Sequence, residues 1–191
     1  GLGGAADRWS MGYPVDRVSG VSFAEQMRAD GAVLYQYLQI LACLHTRIHA
    51  HLANEFGSFK AWLATSIARA ILLDEPRKQT LLNGLRDTPD GDRLCHGDFH
   101  PMNVLGEVSH PVVIDWPNAC RGDPAGDVCR SYVILKLHAE EIAGRYLDAY
   151  CGVSCVPRHA ILDWLPYVAA ARLAEDVPGE QHRLLELVRS L

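Results

Sequence analysis

The chain has 191 residues, of which 49% are apolar and 21% are charged, and its formal net charge is −5. This composition excludes a disordered or low-complexity chain. The chain has no basic block, which argues against a nucleic-acid partner, and no apolar run reaches the roughly 18 residues that a membrane span requires. The six cysteines include no Cys-x-x-Cys pair. A chain this long needs no disulfides, so we expect reduced thiols and a cytoplasmic location.

Helical periodicity dominates the first half of the chain. Within residues 1–20 the pattern predicts one strand, over 11–18, which leads into a turn. Apolar residues then recur at three- and four-residue steps over 32–52, which predicts a helix that begins near Asp30. Two more helices are predicted over 58–73, with Ser58 as the N-cap, and over 75–85.

Short strands are predicted in the middle of the chain, and helices return after them. Two apolar runs at 104–105 and 112–114 are separated by a six-residue loop, which predicts a small hairpin. Asp123 and Pro124 predict the N-cap and first residue of a helix that runs to about 137. Three more helices are predicted at about 140–150, 158–175 and 179–190, and Pro166 should kink or break the middle one.

The polar residues with the clearest chemical meaning lie around this hairpin. Asp98 and Asn103 share a loop, Asn103 leads directly into the first strand, and Asp115 ends the facing strand. The hairpin therefore brings Asn103 and Asp115 together at one end. Carboxylate and amide oxygens suit Mg²⁺, and a carboxylate that binds no metal can accept a proton from an attacking hydroxyl, as phosphoryl transfer needs. The alternative for each Asp alone is a turn or cap residue.

The string His-Gly-Asp-Phe-His-Pro-Met-Asn at 96–103, followed by Ile-Asp-Trp at 114–116, resembles the catalytic and metal-binding loops of the aminoglycoside phosphotransferase family. That family is similar to choline kinases and, more distantly, to protein kinases. The resemblance covers about residues 10–190. It implies a mainly α (α+β) fold: a protein-kinase-like C-terminal lobe, made of helices plus a small β-hairpin that carries the catalytic and metal loops.

The resemblance also implies a role for individual residues. It makes Asp98 the catalytic base, and Asn103 and Asp115 the ligands of Mg²⁺. The residues that it implies as braces of the catalytic loop are His96, His100 and Asp127.

Residues 1–20 correspond in this resemblance to the last strand of the N-terminal lobe and the hinge, and residues 21–191 to the C-terminal lobe. The hinge residues implied to contact the nucleotide ATP are Pro14, Asp16 and Val18. Kinase-like enzymes also hold the ATP phosphates with a lysine on a strand. The three lysines of this chain, Lys60, Lys78 and Lys136, all lie in predicted helices.

We therefore expect the N-terminal lobe to be largely absent, and two hypotheses follow. The first is an ATP-dependent phosphotransferase acting on a hydroxyl group of a small molecule. The second is a catalytically inactive, truncated, kinase-like binding module. The face left by the missing lobe predicts self-association. Four acidic residues near the C-terminus allow the hypothesis that the acceptor is cationic: Asp163, Glu175, Asp176 and Glu180. Solvated helix faces explain the same residues equally well.

The histidines allow a metal alternative. His45 and His49 are four residues apart on one helix, but the Glu of the metalloprotease motif is missing between them, and the resemblance implies ordinary packing. A zinc cluster of His96 and His100 with Cys95, Cys120 and Cys129 lacks the short Cys spacing of structural zinc sites.

Overall fold

The structure is a computed structural model that describes residues 20–189. The predicted strand over 11–18 and the hinge residues Pro14, Asp16 and Val18 lie outside this range. The α-helices of the described part are α1 (Phe23–Ala29), α2 (Leu34–His49), α3 (Phe59–Arg69), α4 (Glu75–Asp87), α5 (Pro124–His138), α6 (Glu140–Ser154), α7 (Arg158–Leu162), α8 (Leu165–Leu173) and α9 (Gln181–Val188). The strands are β1 (Arg93–Cys95), β2 (Val104–Leu105), β3 (Val112–Val113) and β4 (Cys120–Gly122).

Four short strands form two antiparallel ribbons. Val104 pairs with Val113 in the β2–β3 ribbon, which confirms the predicted hairpin. In the second ribbon Cys95 of β1 lies opposite Cys120 of β4. The ribbons share no strand, but the segment between β1 and β2 carries Asp98 and Asn103, and the segment between β3 and β4 carries Asp115. Both candidate loops therefore lie between the two ribbons.

The helix starts follow the capping residues of the sequence. Ser58 and Asp123 cap α3 and α5, as predicted, by accepting from the backbone N–H of Ala61 and Ala125. Helix α1 was not predicted. It begins with a capping box in which Ser22 and Glu25 each accept from the other's backbone N–H.

Two other helix predictions differ from the structure in the following ways. The helix predicted over 32–52 is preceded by a 3₁₀ turn, Gly31–Val33, and ends at His49. The segment over 158–175 is two helices, because α7 ends before the predicted break and Pro166 occupies the first turn of α8, where its missing N–H costs nothing. No helix within 20–189 is both long enough and apolar enough to cross a bilayer.

Helix α5 is the centre of the core. It packs against α6, α7, α8 and β1, and ten of its fifteen residues are buried. A helix buried on all sides turns its polar residues toward protein rather than water. Asp127 and Arg130 of α5 are both buried, and their side chains hydrogen-bond to the backbone of the loop that follows β1.

Candidate active site

The loop after β1 turns sharply at Gly97. This glycine has φ +76°, and a Cβ on it would lie 2.3 Å from the carbonyl oxygen of Asn118. Only glycine fits this backbone conformation and this close approach without strain. The turn directs the chain from the β1–β4 ribbon into the segment that carries Asp98.

Asp98 lies at the wall of a cavity of about 570 Å³, with 22% of its side chain exposed. Its Oδ2 is 3.6 Å from Nε2 of His100, and its Oδ1 is 3.9 Å from Nη2 of Arg130. Burial alone raises the pKa of Asp98, but the interaction with His100 and the positive charges of Arg130 and Arg172 outweigh it, so that the pKa lies below its ordinary value. Asp98 is therefore ionised at neutral pH.

Asn103 ends the same loop, in a 3₁₀ turn that leads into β2. Its Nδ2 donates to the backbone carbonyl of Asp98 at 2.9 Å and lies 3.5 Å from the Asp98 carboxylate. The same atom is 3.3 Å from Nε2 of His100. Because the amide nitrogen faces Asp98, its Oδ1 points elsewhere, and no hydrogen bond to this oxygen is found within residues 20–189.

Asp115 follows β3 and has a left-handed backbone, with φ 65°. An Asp tolerates this region better than most residues but still at some cost, and such positions are common at functional sites. The N–H of Ile114 donates to the carbonyl of Asn103 at 3.0 Å, which places Asp115 beside Asn103. The Asp115 carboxylate is exposed and has no partner in the described part of the chain. Asp115 and Asn103 thus offer unshared oxygens, which fits a hard cation.

His96 connects the two loops. Its Nδ1 accepts from the backbone N–H of Asp98 at 3.2 Å, and its Nε2 donates to the carbonyl of Ile114 at 3.0 Å. One nitrogen accepts and the other donates, so the ring is neutral. Burial lowers the pKa of His96, which favours this neutral form.

Asp127 anchors the backbone at the start of the loop that carries Asp98. Its carboxylate accepts from the backbone N–H of His96 at 2.7 Å and from that of Gly97 at 2.9 Å. The same carboxylate lies 2.9 Å from Nε2 of His45 and 3.2 Å from Nε2 of His49. Burial raises the pKa of Asp127, but the hydrogen bonds and charges of the two imidazoles outweigh it, so that the pKa lies well below its ordinary value.

Two tyrosines complete this buried cluster. Nδ1 of His45 is 2.6 Å from the hydroxyl of Tyr146, and Nδ1 of His49 is 2.8 Å from that of Tyr150. The two histidines are four residues apart on α2, and the two tyrosines are four residues apart on α6. One turn of α2 therefore faces one turn of α6. Burial lowers the pKa of His45 to about 4, against the opposing pull of Asp127.

These contacts bear on the hypothesis that His45 and His49 bind a metal ion. Within 20–189, one group of at least three His, Cys, Asp or Glu side chains comes close enough to share an ion, namely His45, His49 and Asp127. Their ring nitrogens and carboxylate oxygens are engaged by one another, by the tyrosines and by the loop. This supports the packing interpretation. The cluster drawn from His96, His100 and three cysteines does not come together within metal-binding distance.

Arg130 is a residue of the site that the sequence analysis missed. Its side chain is 4% exposed, its Nε donates to the carbonyl of Gly97, and its Nη1 pairs with Glu175 at 2.8 Å. The guanidinium also lies 4.7 Å from the centre of the Trp62 ring. The available signal was a lone arginine, three residues after Asp127, in a mostly apolar helix.

The four acidic residues near the C-terminus, for which the sequence left a cationic acceptor and solvated helix faces equally open, do not line the cavity. Glu180 is buried and pairs with Arg172 and with His138. Glu175 pairs with Arg130 and Arg172. These carboxylates are therefore part of an ion-pair network behind the cavity wall.

Comparisons with known proteins agree with this architecture. A sequence model described as the phosphotransferase enzyme family matches residues 6–165, whereas no curated protein sequence matches significantly. Among solved structures, a thermostable mutant of aminoglycoside phosphotransferase APH(4)-Ia in its apo form is 20% identical, with a TM-score of 0.63, over 91% of this chain and 70% of that chain. A further mutant of that enzyme, in ternary complex with ADP and hygromycin B, has a TM-score of 0.64 at the same identity and coverage. The likeness confirms the predicted kinase-like α+β fold.

Proposed function

This chain belongs to the phosphotransferase enzyme family, and on that premise we propose that it transfers the γ-phosphoryl group of ATP to a hydroxyl group of a small molecule. The observation that carries this proposal is the position of Asp98. It is an ionised carboxylate at the wall of a cavity of about 570 Å³, and the amide of Asn103 holds its backbone in place.

Asp98 acts as the base. A hydroxyl group in the cavity donates its hydrogen bond to the Asp98 carboxylate, which orients the oxygen toward the γ-phosphorus. As the new P–O bond forms and the bond to the ADP oxygen breaks, the hydroxyl proton passes to Asp98. A positioned base of this kind contributes about 10²–10⁴-fold to the rate. Nε2 of His100 and the guanidinium of Arg130 fix the carboxylate from two sides.

Asn103 and Asp115 are the residues that would hold Mg²⁺. Their oxygens without protein partners are the hard ligands that this ion prefers, with phosphates and water completing its shell. When bound, the ion neutralises charge on the phosphates. The ADP and hygromycin B held by one similar structure support a nucleotide and a small molecule side by side.

A non-catalytic binding module is the second candidate, and the three lysines of this chain are engaged within the described part. Nζ of Lys60 donates to the backbone carbonyls of Arg86 and Thr88 at the end of α4. Lys78 pairs with Glu75, and Lys136 pairs with Glu140. All three lie in helices, as predicted, so none of them is a strand lysine for ATP. The hinge contacts of Pro14, Asp16 and Val18, the cytoplasmic location and the self-association stay predictions.

The test is an ADP-release assay with Mg²⁺ and ATP in the presence of hygromycin B, kanamycin, choline and trans-4-tert-butylcyclohexanol, combined with calorimetric titration of ATP. We expect acceptor-dependent ADP release that Asp98→Asn lowers by at least about 100-fold, with unchanged ATP affinity. The matched control, Asp163→Asn, changes an exposed carboxylate outside the cavity and should keep the full rate. ATP binding without turnover would favour the binding module, and full activity of Asp98→Asn would overturn the proposed base.

A further inference from the structure

The cavity at Asp98 has mainly apolar walls. Met27 of α1, Leu34 of α2, Ile134 of α5 and Ile142 of α6 all line it. Its volume of about 570 Å³ falls within the roughly 300–1,000 Å³ of small-molecule sites. An acceptor whose hydroxyl group reaches Asp98 must therefore lay the rest of its body against aliphatic side chains.

Among the described residues, the charged side chains that line the cavity are two carboxylates and two guanidinium groups. Asp98 and Glu141 carry negative charge, and Arg28 and Arg172 carry positive charge. Because Asp98 is assigned to the transferred proton, Glu141 is the one lining carboxylate of residues 20–189 that remains for an ammonium group. Arg172 is already paired with Glu175 and Glu180, and the described lining therefore offers a polyamine a single free carboxylate.

The carboxylates behind the cavity wall already form ion pairs within the protein. Glu180 accepts from Nε and Nη2 of Arg172 at 2.8 and 2.9 Å and lies 2.7 Å from Nε2 of His138. Glu175 pairs with Arg172 and Arg130. An acceptor amine that recruited either carboxylate would leave a guanidinium unpaired in a largely buried position, which is costly.

From this lining we propose that the acceptor is an uncharged alcohol with an apolar body, and that the cavity discriminates against polyamines. The inference rests on the proposed function, because it takes this cavity as the acceptor site. The cationic acceptor that the sequence left open is the competing interpretation.

Two isosteric probes separate these alternatives. trans-4-tert-Butylcyclohexanol and trans-4-(trimethylammonio)cyclohexanol have the same shape and differ by one positive charge; kanamycin serves as the polyamine. Binding of each probe is measured by ligand-observed NMR titration without nucleotide, and phosphorylation is measured separately by ³¹P NMR with Mg²⁺ and ATP. We expect the uncharged probe to bind at least about tenfold more tightly than its charged isostere, which is a single tenfold step in Kd.

Two variants of adjacent residues locate the effect. Leu34→Glu places a carboxylate on the cavity wall at the first turn of α2, where acidic residues favour a helix. Tyr35→Glu adds the same charge one residue further, at a position that is 74% exposed and does not line the cavity. We expect Leu34→Glu to weaken binding of the uncharged probe at least about tenfold and to reduce or reverse the preference for the uncharged probe over its charged isostere. Tyr35→Glu should leave the affinities for both probes unchanged.

The outcomes separate this inference from the proposed function. The inference would be overturned if the charged isostere or kanamycin bound more tightly than the uncharged probe. It would also be overturned if the two variants had equal effects, or if neither cyclohexanol bound. If the uncharged probe binds as expected but no probe is phosphorylated, the cavity inference holds and the phosphotransferase function fails for these probes. If kanamycin binds more tightly and is phosphorylated, the function holds and the inference fails.

Discussion

The imidazole of His96 donates from Nε2 to the carbonyl of Ile114 at 3.0 Å. The other nitrogen of the same ring accepts from the N–H of Asp98 at 3.2 Å. One neutral side chain therefore sets the spacing between the candidate base and the residue that precedes Asp115. Asn103 forms a second link, because its Nδ2 donates to the carbonyl of Asp98 and its own carbonyl accepts from the N–H of Ile114.

Replacing His96 by phenylalanine tests this connection. The ring is kept, but the backbone groups of Asp98 and Ile114 lose their partners, so the free energy of unfolding should fall by about 1–3 kcal/mol. kcat should fall more than KM changes, because the acceptor cavity is untouched. Urea denaturation and steady-state kinetics measure the two effects. His110→Phe, at an exposed position, is the control; a His96→Phe enzyme with the same kcat as this control would contradict the bridging role.

The carboxylate of Asp127 should be the most sensitive position of the core. Asp127→Asn keeps the volume but turns an NH₂ group toward donors, and it removes the charge that His45 and His49 face. Buried N–H donors that lose their acceptor cost about 1–3 kcal/mol. The free energy of unfolding from urea titration should fall by that amount, whereas the exposed Asp163→Asn should change it by less than about 0.5 kcal/mol. Equal stability of the two variants would remove Asp127 as an anchor.

The stability of the folded chain should decrease as the pH falls from about 6.5 to about 4. The pKa of His45 is about 4 in the folded protein and about 6.5 in an unfolded chain. Below pH 6.5 the unfolded state takes up a proton that the folded state does not, so stability present at neutral pH is lost on acidification, by about 3 kcal/mol at most.

Urea denaturation at a series of pH values measures this slope. His96, whose pKa is also lowered by burial, adds to it in the same direction. In His45→Gln the amide can donate to Asp127 and accept from Tyr146 without titrating, so the slope between pH 6.5 and 4 should become smaller. A slope unaffected by this substitution would show that His45 is not the titrating group.

Arg130 should influence the pH dependence of catalysis. Its positive charge helps to lower the pKa of Asp98, so Arg130→Met should raise this pKa and move the acidic limb of the kcat/KM profile to higher pH. Arg130→Lys keeps the charge and should restore part of the wild-type profile. The exposed Arg69→Met is the control. A lower rate with an unmoved acidic limb would assign Arg130 a purely structural role.

The candidate site could be predicted from the sequence because its elements depend on residues that are close together along the chain. The hairpin around 104–113 followed from apolar runs and a turn, and this ribbon alone places Asn103 beside the residues that precede Asp115. Asp123 began α5 as its side chain and the following proline predicted. These features depend on neighbours along the chain, which a single sequence displays.

Features that depend on distant contacts were not predictable in the same way. Strands β1 and β4 have three residues each, which is too short for a periodic pattern. Their paired residues Cys95 and Cys120 are both buried. The role of Arg130 requires knowledge that α5 is buried on every side. Helix α1 is different, since its capping box from Ser22 to Glu25 was present in the sequence.

The central claim is that Asn103 and Asp115 hold a divalent ion beside Asp98. The most direct measurement is an electron paramagnetic resonance titration of the protein with Mn²⁺ and ADP. It compares the wild type, Asp115→Asn and a control, Asp92→Asn, which changes an exposed carboxylate just before β1. We predict that Asp115→Asn weakens Mn²⁺ binding to the protein–nucleotide complex by at least about tenfold and that Asp92→Asn does not. Equal Mn²⁺ affinity in all three proteins would contradict the account.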